Sequence, residues 1–226
     1  MISPKPRRII RIIMALQVCE TFYSLLGEST FAGLPAIFIR LTGCNLRCRY
    51  CDTTYAYEGG EEMAAAELVK TAASHPARRV LVTGGEPLLQ AETPPLLTGL
   101  ADAGLTVLLE TNGSLPIREV DPRVHRILDL KCPGSGMESH NLWENLEQLR
   151  DRDEIKFVIS DQADFAWAVE VIERYRLAGR TPLLISPVFG AVPPKEVAAW
   201  ILNSGLPLRL NLQLHKYIWG PEVRGV

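Results

Sequence analysis

Residues 43–51 read Gly-Cys-Asn-Leu-Arg-Cys-Arg-Tyr-Cys, so that three thiols, Cys44, Cys48 and Cys51, lie close together in the chain. Thiolates are soft ligands that suit iron–sulfur clusters, zinc and cuprous copper. A 4Fe-4S cluster normally takes four cysteines, so three in one loop would leave one iron open to a small molecule. A structural zinc site is closed by four ligands, usually in two pairs, and this sequence offers no second pair. The spacing therefore favours a catalytic iron–sulfur cluster.

The bulk composition is that of an ordinary globular protein. The chain has 226 residues, 47% hydrophobic and 22% charged, with a net charge of -2, which gives no sign of a nucleic-acid partner or an acidic membrane surface. Five cysteines, an odd number with three packed together, do not suit a secreted disulfide framework and indicate a reducing cytoplasm. We interpret the other two, Cys19 and Cys132, as ordinary thiols. No apolar run is long enough to span a bilayer.

The N-terminus loosely resembles a signal peptide, since basic residues precede an isoleucine-rich stretch. Arg11 interrupts that stretch, however, and no clear small-residue cleavage site follows. We therefore interpret residues 1–15 as an N-terminal extension ahead of an internal start at Met14. Residues 16–226 are then predicted to form a single domain.

Short apolar runs rich in β-branched residues alternate with amphipathic helical patterns along this domain. The predicted strands are Ala36–Leu41, Val80–Thr83, Leu105–Glu110, Arg126–Leu130, Glu154–Ile159, Pro182–Ser186 and Leu208–Leu214. The predicted helices are Glu61–Ser74, Thr93–Ala103, His140–Arg150, Ala163–Leu177 and Pro194–Asn203. Such alternation indicates βαβ units and a parallel sheet. We predict an α/β fold, a partial (β/α)6 TIM-like barrel that is irregular between Thr111 and His125, with a doubly wound open sheet as the alternative.

Polar motifs follow the carboxyl ends of five predicted strands. They are the cysteine loop, Gly84-Gly85-Glu86-Pro87, Thr111-Asn112-Gly113, residues 131–136 (Lys-Cys-Pro-Gly-Ser-Gly) and Ser186-Pro187. In α/β barrels the active site is built at that end of the strands. We therefore expect these five loops to converge on one site.

The cysteine loop, with Tyr50 just before its last cysteine, resembles the signature of the radical SAM superfamily. Residues 84–87 resemble the superfamily motif that holds the amino group of the methionine moiety, where paired glycines let the backbone approach a ligand closely. An alternative role for Glu86 is to cap the following helix. The resemblance implies a 4Fe-4S cluster and S-adenosylmethionine (SAM) as cofactors.

Several stretches resemble the 7-carboxy-7-deazaguanine synthase family more narrowly. They are Glu20–Ser29, Gly33–Ala36, Phe38–Cys48, Tyr50–Thr53, Glu110–Gly113, Leu130–Gly136, Lys156–Val158 and Leu214–Lys216. The resemblance implies a carbon–nitrogen lyase that converts 6-carboxy-5,6,7,8-tetrahydropterin into 7-carboxy-7-deazaguanine, with loss of ammonia, in queuosine and deazapurine biosynthesis. The reduced cluster would cleave SAM to a radical that takes hydrogen from carbon 6 of the pterin. Mg²⁺ would assist the ring contraction, and SAM would be regenerated.

The resemblance also implies roles for individual residues. Thr53 would bind Mg²⁺, with Asp52 as its competitor by charge, and Arg40 would clamp the substrate carboxylate through its guanidinium. The other implied substrate contacts are Leu25, Leu26, Gly27, Glu28, Thr83 and Val226. The implied SAM contacts are Tyr50, Cys51, Asp52, Gly85, Glu86, Lys131, Cys132, Pro133, Ser135 and Ser186. The chain departs from many family members at Leu26, where they carry glutamine.

Two other functions are alternatives. Another radical SAM enzyme, such as a glycyl-radical activase, would share the cysteine loop but would not need Arg40 or the Leu25–Glu28 segment. A non-catalytic iron–sulfur carrier or zinc module would want four protein ligands. The partners that the resemblance implies are a small pterin substrate, an electron donor such as flavodoxin or ferredoxin, and a second copy of the chain in a homodimer.

Overall fold

A computed structural model describes residues 15–226, so the predicted extension, apart from Ala15, lies outside the described residues. The boundary between extension and domain stays a prediction. The strands are β1 (Ala15–Leu25), β2 (Pro35–Leu41), β3 (Glu61–Ala64), β4 (Arg79–Gly84), β5 (Thr106–Thr111), β6 (His125–Lys131), β7 (Glu154–Ile159), β8 (Leu183–Pro187) and β9 (Leu208–Leu210). The helices are α1 (Ala65–Ser74), α2 (Thr93–Asp102), α3 (Gln162–Arg174), α4 (Pro194–Ser204) and α5 (Leu214–Trp219).

All of these strands form one sheet in the order β3-β1-β2-β4-β5-β6-β7-β8-β9. From β2 onward the neighbouring strands are parallel, whereas β1 pairs antiparallel with both β2 and β3. Within the described chain β3 and β9 are the two edges, so the sheet is open. This confirms the predicted partial barrel. No α-helix joins β5 to β6, which is the irregular region that the sequence indicated.

The helices cover only one face of the sheet. Buried residues of α1 to α4 share a core with strand residues such as Ile39, Val82 and Phe157. Side chains alternate between the two faces of a strand, so the strand residues on either side of each of these point to the opposite face, called here the inner face. On the inner face a second apolar cluster contains no residue of those four helices. This one-sided arrangement rules out the doubly wound alternative and leaves the inner face open to line a site.

Two strands outside the parallel part of the sheet were not predicted from the sequence. The segment Ala15–Leu25 was not predicted as a strand, yet it forms β1 between β2 and β3. Residues Glu61–Ala64 were predicted to begin a helix, and this is wrong because they pair with β1 from Ala15 to Val18. The helix begins only at Ala65.

The predicted helix His140–Arg150 is also wrong, since the region contains only short 3-10 turns. Its asparagine side chains satisfy backbone groups of neighbouring loops instead. The Asn145 amide nitrogen donates to the carbonyl oxygens of Gly113 (3.2 Å) and Leu115 (2.9 Å), and its oxygen accepts from the amide of Ile117 (3.2 Å). The segment therefore supports the long β5–β6 connection.

The last predicted strand is shorter than expected. β9 ends at Leu210, after which the amide of Asn211 donates to the carbonyl of Ile185 (2.9 Å). The amide of Leu214 donates to the carbonyl of Gly27 (2.9 Å), where α5 begins. Contacts far away in sequence thus end the strand. None of the described helices combines the length and apolar character that a membrane span requires.

Candidate active site

The inner face of the sheet lines a cavity of about 460 Å³. All of the predicted substrate residues border it: Leu25, Leu26, Gly27, Glu28, Arg40, Thr83 and Val226. From the cysteine loop and its continuation, Cys48, Cys51, Asp52 and Thr53 border the same space. The structure therefore brings the predicted substrate residues and the cysteine loop together, while the ligand contacts assigned to each residue stay predictions.

Polar side chains of successive strands reach the cavity because alternate residues of a strand share a face. Arg40 in β2 pairs in register with Thr83 in β4, and Asp129 in β6 pairs with Lys156 in β7. Glu110 of β5 lies between these pairs in the sheet order. The result is a polar row across an otherwise apolar face.

The floor of the cavity comes from the opposite end of the barrel. Leu25 pairs with Pro35 at the start of β2, so residues 26–34, called here the floor loop, lie at the amino-terminal end of the parallel strands. The loops at the carboxyl ends of the strands, which the sequence predicted to converge, are therefore joined by a loop from the opposite end. The floor loop places Glu28 where Ser186 Oγ donates to its Oε1 (3.1 Å) and Lys156 Nζ lies 3.5 Å away.

The C-terminal helix packs directly on the floor loop. A Cβ added to Gly27 would lie 2.1 Å from His215 Nδ1, so only glycine leaves room for this imidazole. Burial, and then the charge of Lys216, lower the pKa of His215, so the imidazole is neutral at neutral pH. Leu26 is almost fully buried and packs in the inner apolar cluster, so the departure from glutamine places an apolar surface in the floor.

Lys156 is the centre of a buried charge cluster. Its ammonium contacts Glu110 and lies 3.5 Å from Glu28 and 3.9 Å from Asp129. Burial lowers the pKa of Lys156, but the charges of Glu110 and Glu28 outweigh it and raise that pKa well above its ordinary value, so the amine stays protonated. Lys131 Nζ forms a further ion pair with Asp129 (2.9 Å).

The pKa values of the two glutamates in this cluster are shifted in opposite directions. Burial raises the pKa of Glu28, against the opposing charge of Lys156. In Glu110 burial acts in the same direction, but the charge and hydrogen bond of Lys156 outweigh it and lower the pKa. Such a pair, with one ionised carboxylate and one that protonates more readily, can both accept and donate hydrogen bonds to a polar heterocycle.

The guanidinium of Arg40 is oriented before any ligand binds. Its Nε donates to Glu20 Oε1 (2.7 Å), and the rings of Phe22 and Tyr55 lie 6.0 and 5.8 Å from its carbon. Burial, opposed by the charge of Arg40, raises the pKa of Tyr55 to about 12, so its hydroxyl stays protonated and donates to Glu20 (3.1 Å). Within the described chain the two Nη groups have no acceptor, which leaves a fork of donors for a carboxylate.

The paired glycines bind the end of β4 to the cysteine loop. A Cβ on Gly85 would lie 2.2 Å from the carbonyl oxygen of Gly43 and 2.6 Å from Cys44 Cβ. The amide of Glu86 donates to that same carbonyl (2.8 Å). The close approach that these glycines permit is therefore, in this structure, an approach to the loop that carries the thiols.

Glu86 is fully buried and its carboxylate is used inside the protein. It accepts from the amides of Leu88 (2.9 Å) and Asn112 (2.7 Å) and from Thr111 Oγ1 (2.9 Å). Burial raises the pKa of Glu86, and these hydrogen bonds act against that rise. The capping role that the sequence left open is therefore present, and the SAM contact assigned to Glu86 stays a prediction.

The three thiols are free and half-buried. The amide of Leu46 (3.4 Å) and the side-chain amide of Asn112 (3.8 Å) donate to Cys44 Sγ, and N–H donors of this kind stabilise a thiolate. Residues 15–226 contain no group of three His, Cys, Asp or Glu that could hold a single metal ion. A 4Fe-4S cluster spreads its ligands over separate irons, so these thiols, with N–H donors and an adjoining cavity, fit a cluster.

Asp52 is engaged by the C-terminal segment. Lys216 contacts its carboxylate, Gln213 Nε2 donates from 3.3 Å and Thr53 Oγ1 from 2.9 Å. Burial raises the pKa of Asp52, but the charge of Lys216 and these hydrogen bonds outweigh it and lower the pKa to about 2. Asp52 is thus already paired with a cation, and Thr53 keeps a neutral oxygen at the cavity.

The predicted SAM contacts divide into two groups. Tyr50, Cys51, Asp52 and Lys131 border the cavity, and Tyr50 donates its hydroxyl to the carbonyl of Val158 (2.9 Å). The others do not border it, and these are Gly85, Glu86, Cys132, Pro133, Ser135 and Ser186. Cys132 is fully buried in the helix-side core, which agrees with its interpretation as an ordinary thiol.

Three charged cavity residues on the strands had no role in the sequence prediction: Glu110, Asp129 and Lys156. Each lies at an alternate position of a predicted apolar strand, two residues after an inner-face residue. That period of two was present in the sequence and could have identified them. Their mutual contacts depend on the strand order, which the sequence alone did not give.

Known proteins resemble the chain along most of its length. The model of the radical SAM superfamily matches residues 38–199. A 7-carboxy-7-deazaguanine synthase of Chlorobaculum tepidum is 48% identical, over 93% of this chain and 97% of that protein. A second, of Koribacter versatilis, is 42% identical over 93% and 100% of the two chains.

Solved structures agree. The crystal structure of QueE from Escherichia coli superposes with a TM-score of 0.73 at 26% identity, covering 89% of this chain and 95% of that one. The structure of SuiB from Streptococcus suis shares the fold, with a TM-score of 0.53 at 14% identity over 76% of this chain and 47% of that one.

Proposed function

Because this chain belongs to the radical SAM superfamily and, within it, to the 7-carboxy-7-deazaguanine synthases, we propose that it converts 6-carboxy-5,6,7,8-tetrahydropterin into 7-carboxy-7-deazaguanine with the help of Mg²⁺. The enzyme is a radical SAM lyase, and the proposed reaction releases ammonia. The observation that best supports this substrate is that Arg40, Glu28 and the cysteine loop border one cavity.

Arg40 binds the carboxylate of the substrate. Glu20, Phe22 and Tyr55 hold its guanidinium in one orientation, so little side-chain entropy is lost when the ligand binds. The two Nη groups then match the two oxygens of a carboxylate.

The pterin ring lies between the floor loop and the inner face of the sheet. Its amino-pyrimidinone edge presents N–H donors, and Glu28 and Glu110 supply carboxylate oxygens at the cavity. Lys156 fixes both glutamates through its central charge. The apolar face of Leu26 and the backbone at Gly27 suit a flat ring.

The cofactors are held at the mouth of the cavity by the cysteine loop. When bound, the cluster and SAM supply the radical that activates the pterin, and Mg²⁺ supplies a cation at its carboxylate. Cys44, Cys48 and Cys51 would hold the cluster, and the hydroxyl of Thr53 would be a ligand for Mg²⁺. Asp52, already paired with Lys216, orients this loop.

An electron donor and a second copy of the chain complete the proposed partners. Arg47 and Arg49 of the cysteine loop are exposed, which supports an acidic carrier such as flavodoxin or ferredoxin at this loop. We extend the homodimer from the resemblance to this chain without assigning its interface.

Product analysis tests the proposal. The protein is reconstituted with iron and sulfide without oxygen and incubated with the carboxypterin, SAM, Mg²⁺ and dithionite. We expect 7-carboxy-7-deazaguanine and ammonia in equal amounts, with a strong loss of rate when Mg²⁺ is omitted. SAM cleavage without this product would instead indicate another radical SAM enzyme.

A further inference from the structure

A fully buried carboxylate outside the cavity anchors the floor loop. Glu154, at the start of β7, accepts from the backbone amide of Thr30 at 3.0 and 3.2 Å and from the hydroxyl of Thr30. His125 Nε2 lies 2.8 Å from Glu154 Oε1, and the His125 ring packs edge-on against Phe31 at 4.9 Å. A carboxylate is buried at low cost only when its lone pairs are satisfied, and here the floor loop satisfies most of them.

The backbone between this anchor and Glu28 is strained. Ser29 has a φ of 72°, the left-handed region that side-chain-bearing residues rarely adopt. Its buried hydroxyl accepts from the amide of Phe31 (3.0 Å). Strained backbone of this kind persists where the surroundings over-determine it, and it is concentrated at functional sites.

The floor loop has a second anchor on the other side of Glu28. The Gly27 carbonyl accepts from the amide of Leu214 (2.9 Å), and His215 packs against Gly27. Glu28 is therefore held between two fixed points, Gly27 and Thr30. Its direct contacts, Ser186 and Lys156, also bind other partners, so they do not by themselves fix its position.

We propose that Glu154 and His125 are positioning residues that hold Glu28 at the depth where it meets the substrate. They touch neither the cavity nor the substrate and act through Thr30 and the strained Ser29. The inference rests on the proposed function, because it assigns Glu28 to the pterin. If this anchor is loosened, Glu28 and the bound pterin shift, and carbon 6 of the pterin is no longer aligned with the radical that abstracts its hydrogen.

The test compares Glu154→Gln and His125→Gln with the wild type in the reconstituted holoenzyme. We expect the KM for the carboxypterin to rise about tenfold while the KM for SAM stays unchanged, because Glu154→Gln removes the ionic acceptor of Thr30 and His125→Gln removes the ring that packs against Phe31. The ratio of released 5′-deoxyadenosine to product should also rise, because SAM cleavage continues on a misplaced pterin. A merely structural role would lower both products in proportion.

The matched control is Asp153→Asn, which alters the neighbouring buried carboxylate. Asp153 binds Arg126 and the amide of Arg150 and makes no hydrogen bond to the floor loop. It should lose stability without any change in the product ratio. If Glu154→Gln does not fold, Thr30→Val removes only the hydroxyl donor and is measured in the same way.

A double-mutant cycle identifies the route. In a Glu28→Gln background, adding Glu154→Gln should leave the KM for the pterin within twofold, because the anchor acts through the side chain already altered. The inference is overturned if the effects of Glu28→Gln and Glu154→Gln on the KM for the pterin are fully additive. It is also overturned if Glu154→Gln, or Thr30→Val in its place, keeps the wild-type ratio of 5′-deoxyadenosine to product. An inactive wild type would instead overturn the proposed function.

Discussion

The guanidinium of Arg40 shows how single residues prepare this site. Its Nε donates a hydrogen bond to Glu20, and two aromatic rings flank it. The remaining N–H groups are left to donate to the proposed ligand. The sequence indicated Arg40 from its place four residues before the first thiol. It could not indicate Glu20 or Tyr55 as its supports, because those contacts join β1 to β2 and to the residues after the cysteine loop.

Replacing Arg40 with lysine should raise the KM for the carboxypterin by about 10- to 100-fold, because a point charge cannot match both carboxylate oxygens. Steady-state kinetics over a range of pterin concentrations measures this. Arg118→Lys, in an exposed pair with Glu119, is the matched control and should behave as the wild type. An unchanged KM in Arg40→Lys would contradict the assignment of the substrate carboxylate to Arg40.

Lys156→Met should lower the free energy of unfolding by about 3–5 kcal/mol, because it leaves carboxylates buried without their cation. Urea unfolding at pH 7 measures the loss. Lys70→Met, on the exposed side of α1, serves as the control and should cost little.

The pH dependence of this variant has a definite sign. In the wild type the pKa of Glu110 lies below its ordinary 4.5, so its contribution is present above that pH and lost below it. Without Lys156, only the charge of Lys131 and the hydrogen bond from Thr83 still oppose burial, so the pKa of Glu110 rises and its protonation relieves the destabilisation of the variant. The stability gap should therefore narrow as the pH falls from 7 toward 5, and a widening gap would contradict this assignment of charges.

At the scale of elements, the parallel strands were predictable because each is a short apolar run between turn residues. The antiparallel strands β1 and β3 were not, since β3 is held by pairing with β1 rather than by its own pattern. Residues His140–Arg150 have a helical pattern, but Asn145 binds three backbone groups of the β5–β6 loop instead. Tertiary hydrogen bonds outweighed local propensity in both places.

The contact between β4 and the cysteine loop predicts the effect of one methyl group. Gly85→Ala would bring a Cβ to 2.2 Å from the Gly43 carbonyl, so the cysteine loop must move. We expect the iron content after reconstitution to fall to less than half that of the wild type. Gly99→Ala, on helix α2 away from the loop, should retain full iron. Full iron in Gly85→Ala would show that the loop adapts without losing its cluster.

The ion pair between Asp52 and Lys216 ties helix α5 to the cysteine loop. Lys216→Met should speed amide hydrogen exchange in residues 214–219 at neutral pH, which mass spectrometry can localise. Lys195→Met, an exposed lysine of α4, is the matched control. Unchanged exchange in Lys216→Met would mean that packing on Gly27 alone holds the helix.

The same pair predicts an acid window. The pKa of Asp52 falls from 3.8 to about 2, so its contribution to stability is complete above 3.8 and disappears as the pH falls through about 2. The stability difference between the wild type and Lys216→Met should therefore vanish across this window. A difference that persists below it would assign the effect to packing.

At the scale of the whole molecule, the open sheet makes the site. Helices cover one face, the cysteine loop and strand ends form the mouth, and the floor loop closes the opposite end. The sequence predicted the mouth because its motifs are local. The floor depends on an antiparallel strand that reverses the chain direction, and the charge cluster depends on strand order, and neither is encoded by spacing alone.

Transfer of an isotope from the substrate tests the central claim most directly. The carboxypterin, labelled with deuterium at carbon 6, is turned over by the reconstituted enzyme with SAM, Mg²⁺ and a reductant, and both products and SAM are analysed by mass spectrometry. The proposed function predicts 7-carboxy-7-deazaguanine together with deuterium in the regenerated SAM. Absence of that product, or product formed with no deuterium in SAM or in 5′-deoxyadenosine, would contradict it.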